Sequence, residues 1–215
     1  MQVVSVDKST CTEFVLKKHY SKRMSIFWKG FALVEDNTIS GVVVFGQPSP
    51  PIQKHSFSDR DFKLYELCRL VVQSKTKNAS SYLVGNALKM LDAPCAVVSY
   101  ADMEMGHHGY IYQATNWYYT GNTISHDHLY IIDGKRVHPM TLRDKGILSP
   151  KEWAKTNNIE TVKPHPKHRY FYFVGNKTQK RNMMNKLTYP IIKEYPKGDQ
   201  QRYDDGEHIN KYIIT

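Results

Sequence analysis

The run CAVVSYAD at residues 95–102 is the strongest constraint on how this chain can fold. Its first four residues are apolar without alternation, so both faces of the strand they form must be covered, which places it inside a sheet and not at an edge. A sheet covered on both faces needs helices, and the chain alternates them with other short apolar runs. VVSV at 3–6 reads as a strand and DKSTCTEFVLKKHY as a helix capped by Asp7 or Ser9 and carrying Phe14, Val15 and Leu16. FALVED and ISGVVVFG, separated only by turn residues around Asn37, read as an antiparallel hairpin. GQPSPPIQKHSFSDRD has no periodicity and reads as a loop long enough to be functional. LYELCRLVV is again a strand, and KNASSYLVGNALKML is helical in period with Asn78 or Ser80 near its cap. After CAVVSYAD come a helical GYIYQATNW, then YYTGN, a hairpin turning at Asp133-Gly134, a short helix behind Ser149 and a last strand RYFYFVG. The order is β-α-β-β-β-α-β-α-β plus an extension, an α/β (α+β) mixed sheet flanked by helices.

With 215 residues, 40% of them hydrophobic, the chain can bury one substantial core. We expect a core at 1–130 and a basic C-terminal β/α extension at 131–215 that completes the domain. No stretch approaches the roughly 18 apolar residues of a membrane span, and the N-terminus lacks the order of a signal peptide, so a soluble, intracellular protein with no membrane partner is expected. Cys11, Cys68 and Cys95 include no CxxC pair and read as reduced packing residues.

The net charge of +10 calls for an anionic partner, and its distribution says where. Residues 1–162 carry 19 Lys and Arg against 15 Asp and Glu, whereas residues 163–202 carry 10 against 2. That second segment interleaves cations with Tyr and Phe, so Arg169, Lys177, Lys180 and Arg181 could meet nucleic-acid phosphates while rings stack on bases, the alternative being a solvated basic tail that aids solubility. Lys22 and Arg23, around the first helix's end, could guide the same partner.

The chemistry concentrates where CAVVSYAD ends. In open α/β sheets ligands collect at strand C-termini, so Asp102 would stand at the mouth of a cleft, with Gly106 and Gly109 permitting close approach. His108, Tyr112 and Asn116 are spaced for one helix face, while the adjacent His107 would point away from His108. The alternatives are a helix cap for Asp102 and a satisfied core hydroxyl for Tyr112. Arg69 in an otherwise buried strand needs a partner, either Glu66 or another acid, or an anionic ligand. Ser80 and Ser81 open a helix whose first N–H groups favour phosphate or carboxylate. His19 and Tyr20 end the first helix and either form its basic C-terminus or reach the cleft. HDH at 126–128 could put two imidazoles on one strand face, without a third metal ligand at recognisable spacing, so the metal requirement is open.

Taken in order, HYSKR, ISGVVVFGQPSP, LYELCRLVV, KNASSYLVGNALK, VVSYADMEMGHHGYIYQATNWYYTG and HRYFYFVG resemble the Mom family, proteins with which phages modify adenine in their own DNA. The resemblance spans about residues 19–175 and implies a variant of the GNAT acyltransferase fold, with QSKTKNAS where the usual Q/RxxGxG/A pyrophosphate loop would stand. It implies N6-carbamoylmethylation of adenine, which protects the DNA from restriction, in the host cytoplasm. The positions matching the family's polar motif are His19, Tyr20, Arg69, Ser81, Asp102, His107 and Tyr112. On that basis Asp102 is general base or amine-positioning group and Tyr112 general acid, with Tyr20 and His19 beside them. Arg69, Ser81, Asn78 and Ser80 contact a donor. An adenine in double-stranded DNA must be flipped out and stacked, for which Tyr20, Trp117, Tyr118 and His108 are candidates. Acetyl coenzyme A, a glycyl or other acyl carrier, and an unknown donor all stay open, as does a homodimer. Two rival classes remain: a GNAT-like acyltransferase acting on protein or tRNA, and a non-catalytic DNA-binding protein.

Overall fold

The structure, a computed structural model, describes residues 1–124, 128–199 and 208–212. Its centre is a sheet of seven strands: β1 (Gln2–Val6), β2 (Phe27–Glu35), β3 (Thr38–Gly46), β4 (Lys63–Val72), β5 (Cys95–Asp102), β6 (Tyr118–Asn122) and β10 (Lys167–Val174). Across the sheet they lie in the order β1-β2-β3-β4-β5-β10-β6. Neighbours are antiparallel except β4 and β5, which run parallel. The expected order of strands and helices is present. CAVVSYAD lies inside the sheet between β4 and β10, as its uninterrupted apolar run required.

Local chemistry sets the elements. Helix α1 (Lys8–Lys18) starts where the Asp7 side chain accepts from the Thr10 N–H at 2.9 Å, and it buries Cys11, Phe14 and Val15. It lies directly on β2, because a Cβ at Gly30 would come within 2.5 Å of Cys11 Sγ. The β2–β3 turn places Asp36 and Asn37 at φ of 48° and 60°, the paired left-handed geometry that matches hairpin twist. Within the loop expected at 46–61, Pro50–His55 forms a short helix, α2, started by Pro at its first turn.

Alternation along the strands separates two faces. On one, Leu83, Val84, Ala87 and Leu88 of α3 (Ala79–Lys89) cover Phe31, Leu33, Val43, Phe45 and Val97. On the other, Phe14 and Val15 of α1 cover Ala32, Val42, Val44 and Val71. Farther along that second face, Met183 of α7 (Lys177–Lys186) covers Leu64, Ala96, Val98, Phe171 and Phe173.

Residue 130, the expected passage from core to extension, lies within a small inserted sheet. Residues 129–162 form a separate small sheet, β7 (Leu129–Ile132), β8 (Lys135–Val137) and β9 (Thr161–Val162), with α5 (Pro139–Asp144) and α6 (Pro150–Thr156). This insert has its own core of Tyr130, Leu142 and Ala154. The chain then re-enters the main sheet as β10 between β5 and β6, so the sheet is not complete without it.

The β4–β5 ladder pairs Lys63 with Cys95 through Glu66 with Val98 and stops there, although both strands continue. Just past that point Ser99 Oγ lies 2.8 Å from the Leu67 carbonyl and 2.7 Å from the Tyr112 hydroxyl. A serine has one hydroxyl proton, so Ser99 donates to Leu67 and Tyr112 donates to Ser99. Ser99→Ala should lower unfolding stability by about 1–3 kcal/mol, because a buried phenol and a strand carbonyl are left without their partner. Adding Tyr112→Phe should cost less than the sum of the two single changes. Denaturant unfolding of the three variants measures this, and full additivity would refute the coupling.

Candidate functional site

The site lies where the second face of the sheet turns polar. Along β4 the residues on that face run Leu64, Glu66, the bulged Cys68 and Arg69, then Val71, so polar groups fall between the cluster under α7 and the cluster under α1. Strand β5 likewise passes from Ala96 and Val98 to Tyr100 and Asp102, and β10 from Phe173 and Phe171 to Arg169 and Lys167. Three strands thus give a polar floor between two apolar ones, at the end where β4 and β5 have parted.

Asp102 ends β5 with its side chain 14% exposed. Oδ1 accepts from the Glu104 N–H at 3.1 Å and caps the single 3-10 turn Met103–Met105. Oδ2 lies 3.3 Å from Lys167 Nζ and 3.5 Å from the Tyr20 hydroxyl. The cap and the cleft position are therefore both present. Each carboxylate oxygen has two acceptor sites, so capacity remains for a further donor.

His19 and Tyr20 do reach this cleft. Their rings stack at 4.4 Å, and Tyr20 meets His107 edge-on at 5.9 Å. Burial pushes the Tyr20 phenol up to about 12, and the neighbouring Asp102 charge adds to the shift. Burial, with the charges of Arg69 and His107, drives His19 down to about 3, so it is neutral at physiological pH. Its Nδ1 accepts from the Ser21 N–H at 3.1 Å, which leaves the proton on Nε2. Burial also lowers His107, against the opposing pull of Asp102. Arg69 is half-buried and pairs with neither Glu66 nor another acid among the described residues. Nε donates to the Arg23 carbonyl at 2.8 Å and Nη1 to the Cys68 carbonyl at 2.7 Å, which leaves its charge without an ion pair among the described residues.

Glu66 is the residue whose importance sequence reasoning missed. Burial raises its carboxyl to about 7, with Arg69 and Lys167 pulling the other way, and no described residue hydrogen-bonds its side chain. Above it Tyr100 is raised by burial and by the Glu66 charge. The sequence did show an acid in an apolar strand, but not that it faces a cleft. Lys167 carried no local signal, since its place depends on the register of β10 against β5.

Several expected site residues lie elsewhere. Helix α4 (Tyr110–Ala114) has only five residues, bounded by Gly109 at φ 78° and Asn116 at φ 60°, so His108, Tyr112 and Asn116 share no helix face. Tyr112 is buried in the core with its hydroxyl on Ser99, and burial raises its pKa. His108 turns away from His107 and sits 5.8 Å from the His168 ring on the opposite face. Trp117 is fully buried, and Tyr118 packs on Phe173 in the cluster under α7, so neither presents a free ring to a base. Arg169 is also buried. It donates to Thr120 Oγ1 at 3.0 Å and to the Thr120 carbonyl at 2.9 Å, with its guanidinium 3.4 Å from the Tyr189 ring centre, so it is a structural cation.

Arg23 pairs with Asp144 at 3.0 Å, and Lys22 Nζ donates to the Lys17 carbonyl at 2.6 Å. Lys177, Lys180 and Arg181 of α7 are exposed, with Lys180 Nζ 5.9 Å from the Tyr172 ring centre. Asn78 precedes α3 at φ 64° without a side-chain cap, and Ser81 Oγ donates to the Asn78 carbonyl at 3.0 Å; Ser80 and Ser81 are half-buried. The HDH stretch falls largely on residues 125–127, outside those described. Among the described residues no group of three or more His, Cys, Asp or Glu could hold a metal, and no helix is long and apolar enough to cross a membrane. Burial raises Cys11, Cys68 and Cys95 to about 12. A large groove, about 1060 Å³, lies at the opposite ends of β4 and β5 beside Trp28, Lys63 and Tyr65 and contains none of these groups.

Fold and site together define a mixed α/β protein with a half-closed polar cleft where its two parallel central strands part. The chain belongs to the Mom protein family, whose model matches residues 1–191. Solved structures similar to it include a Bacillus subtilis acetyltransferase in complex with CoA, with TM-score 0.47, 12% identity, and coverage of 81% of this chain and 99% of that one. A mutant of spermidine N-acetyltransferase SpeG from Vibrio cholerae gives TM-score 0.47 at 8% identity, covering 80% of this chain and 95% of that one. The putative acetyltransferase yncA from Salmonella typhimurium with acetyl-CoA gives 0.45 at 10%, covering 82% and 95%. No curated protein matches the chain in sequence.

Glu66 gives the cleft a pH signature. Its folded pKa, about 7, lies above the ordinary 4.5, so the folded state holds a proton that the unfolded chain releases. Its contribution therefore weakens stability as pH rises from about 4.5 to about 7 and is level above that. Glu66→Gln should remove this slope and be relatively more stable at pH 8 than at pH 5. Melting temperatures of both proteins at the two pH values test it; parallel changes would show that Glu66 ionises normally.

Proposed function

We propose that the protein is a transferase that modifies DNA, converting adenine to N6-carbamoylmethyladenine and so protecting phage DNA from host restriction. Family membership supports the DNA-modification class. The observation that carries the chemistry is Asp102, a mostly buried carboxylate at a strand end, flanked by Tyr20, Lys167 and a separate carboxyl, Glu66, that titrates near neutrality.

The lone pair of the adenine amino nitrogen is delocalised into the ring. As the new N6–C bond forms, one N6–H bond breaks and its proton passes to a base, while the bond from the transferred methylene carbon to the donor's leaving group breaks and its electron pair departs with that group. Acetyl transfer would give N6-acetyladenine, so the donor must also carry the carbamoyl nitrogen or a later amidation must supply it. Asp102 can accept a hydrogen bond from the amino group and orient it. Glu66, half protonated near pH 7, is matched to take up the proton, since a catalytic base works best with a pKa close to the working pH. Tyr20, stacked on His19 and edge-on to His107, contributes an aromatic side chain to the cleft that a flipped base would enter. The start of α3, at Asn78, Ser80 and Ser81, has no side-chain cap and suits the anionic part of a donor such as a coenzyme A thioester or a glycyl or other acyl carrier. Digesting DNA from expressing cells to nucleosides and weighing them tests the reading. Unmodified adenine throughout, with modified protein or tRNA instead, would overturn it.

Asp102→Asn should keep the cap to Glu104, since Asn caps nearly as well as Asp, yet remove the anionic acceptor. Modification should fall about 100-fold to 1,000-fold, as the loss of one fixed electrostatic partner of the reacting group does, with DNA affinity and folding retained. A folded Asp102→Asn variant with normal modification would end the assignment. Neutralising Lys177, Lys180 and Arg181 together should instead weaken DNA binding across sequences. Its salt dependence should flatten by about 0.9 log unit for each phosphate that these cations no longer neutralise. A salt titration of binding reads this directly, and an unchanged slope would place the DNA away from α7.

A further inference from the structure

The insert is tied to the rim of the cleft at two points. Arg136 of β8 pairs with Glu104, two residues beyond Asp102. Asp144, the last residue of α5, pairs with Arg23, whose carbonyl holds Arg69. From Asp144 the chain makes a tight turn into α6. Lys145, Gly146 and Ile147 donate back to the carbonyls of Leu142, Arg143 and Leu142, with Gly146 at φ 88°. The Trp153 N–H then closes onto the Ser149 carbonyl at 3.0 Å. The turn is thus pinned on both sides.

Its two apolar residues have opposite fates. Ile147 packs inward against the insert core, whereas Leu148 is 84% exposed at the apex. A single exposed leucine is ordinary on a protein surface. Here it stands on a rigid turn, within roughly 14 Å of Asp144 by chain length. Lys145, Lys151 and Lys155 around it are exposed and form no ion pair among the described residues. Exposed cations that suit phosphates thus flank an apolar residue along the chain, with Glu152 the one exposed acid between Lys145 and Lys155, on a segment tied to the rim of the cleft through Asp144. A duplex that releases one base leaves an unstacked gap, and apolar side chains are the groups that enter such gaps.

We infer that the α5–α6 turn docks on duplex DNA and that Leu148 inserts into the base stack, filling the space left by the adenine that enters the cleft. This rests on the DNA-modification reading above and makes Leu148 a positioning residue, not a catalytic one. The test uses a short duplex that the wild-type protein modifies, with 2-aminopurine at the modified position, whose fluorescence rises when it leaves the stack. Wild-type protein should raise the fluorescence several-fold. Leu148→Ala should bind the duplex within about three-fold of wild type but give little of that rise, and modify unlabelled duplex about ten-fold more slowly or worse; Leu148→Phe should restore both. Because Leu148 is exposed, the melting temperature of the variants should not move. Wild-type rise and modification in Leu148→Ala would overturn the inference, as would a more than ten-fold fall in affinity, which would make Leu148 an ordinary binding residue. A wild-type protein that modifies the duplex without a rise in fluorescence would overturn it while sparing the modification reading. If no duplex is modified at all, that reading falls and the inference with it.

Discussion

Two parallel strands that part in the middle of a sheet leave backbone groups facing each other with no ladder between them, and a buried peptide group without a partner is costly. Here the gap past Glu66 and Val98 is bridged by one hydroxyl, Ser99, which reaches the Leu67 carbonyl and takes the phenol of Tyr112 behind it. The bridge allows β4 to follow β3 and β5 to follow β10 without collapse of the space between them. Everything that makes the site follows from that separation. Asp102 stands free of β4, and Glu66 is buried without being paired. Tyr20 can come in from the end of α1 to meet Asp102.

The cleft then has a particular electrical balance. Asp102 is matched by Lys167, while Arg69 is held by carbonyls and keeps its charge available. His19 stays neutral because it is buried beside a guanidinium, and Glu66 sits at the edge of ionisation because burial nearly cancels its usual preference for charge. Glu66 can change charge near neutrality at small cost, a property matched to moving a proton rather than to holding the fold.

How much of this was legible in the sequence depends on the range of the interaction concerned. Strands and helices were readable because apolar spacing is local, and CAVVSYAD required an interior strand wherever its neighbours came from. The apparent stripe at His108, Tyr112 and Asn116 failed because Gly109 and Asn116 take left-handed backbone and confine α4 to five residues. Trp117 and Arg169 looked like ligand-facing groups, yet each is consumed by packing that only tertiary structure supplies: Trp117 under Tyr112 and Tyr172, Arg169 between Thr120 and Tyr189. Lys167 and Glu66 have the reverse character, ordinary in sequence and central in space. The basic excess in the C-terminal quarter likewise mixed surface cations on α7 with residues such as Arg169 that are buried.

That last distinction bears on how a basic protein could act on a neutral base. Phosphate attraction is long-ranged and indifferent to sequence, whereas orienting an adenine amino group requires fixed acceptors in a place from which water and phosphate are kept away. Inside the cleft Lys167 is occupied by Asp102, and at its edge Arg23 by Asp144 and Arg136 by Glu104, so the nearest cations are largely neutralised by their own neighbours. Exposed cations without ion-pair partners among the described residues stand farther out, among them Lys177, Lys180 and Arg181 on α7 and Lys145, Lys151 and Lys155 around the α5–α6 turn, while in the cleft Arg69 keeps an unpaired charge. A backbone drawn to those surfaces would be held at the rim and only the displaced base would fit within. With most of the inner charges other than Arg69 compensated, the proposed DNA complex would keep phosphate outside and the base inside.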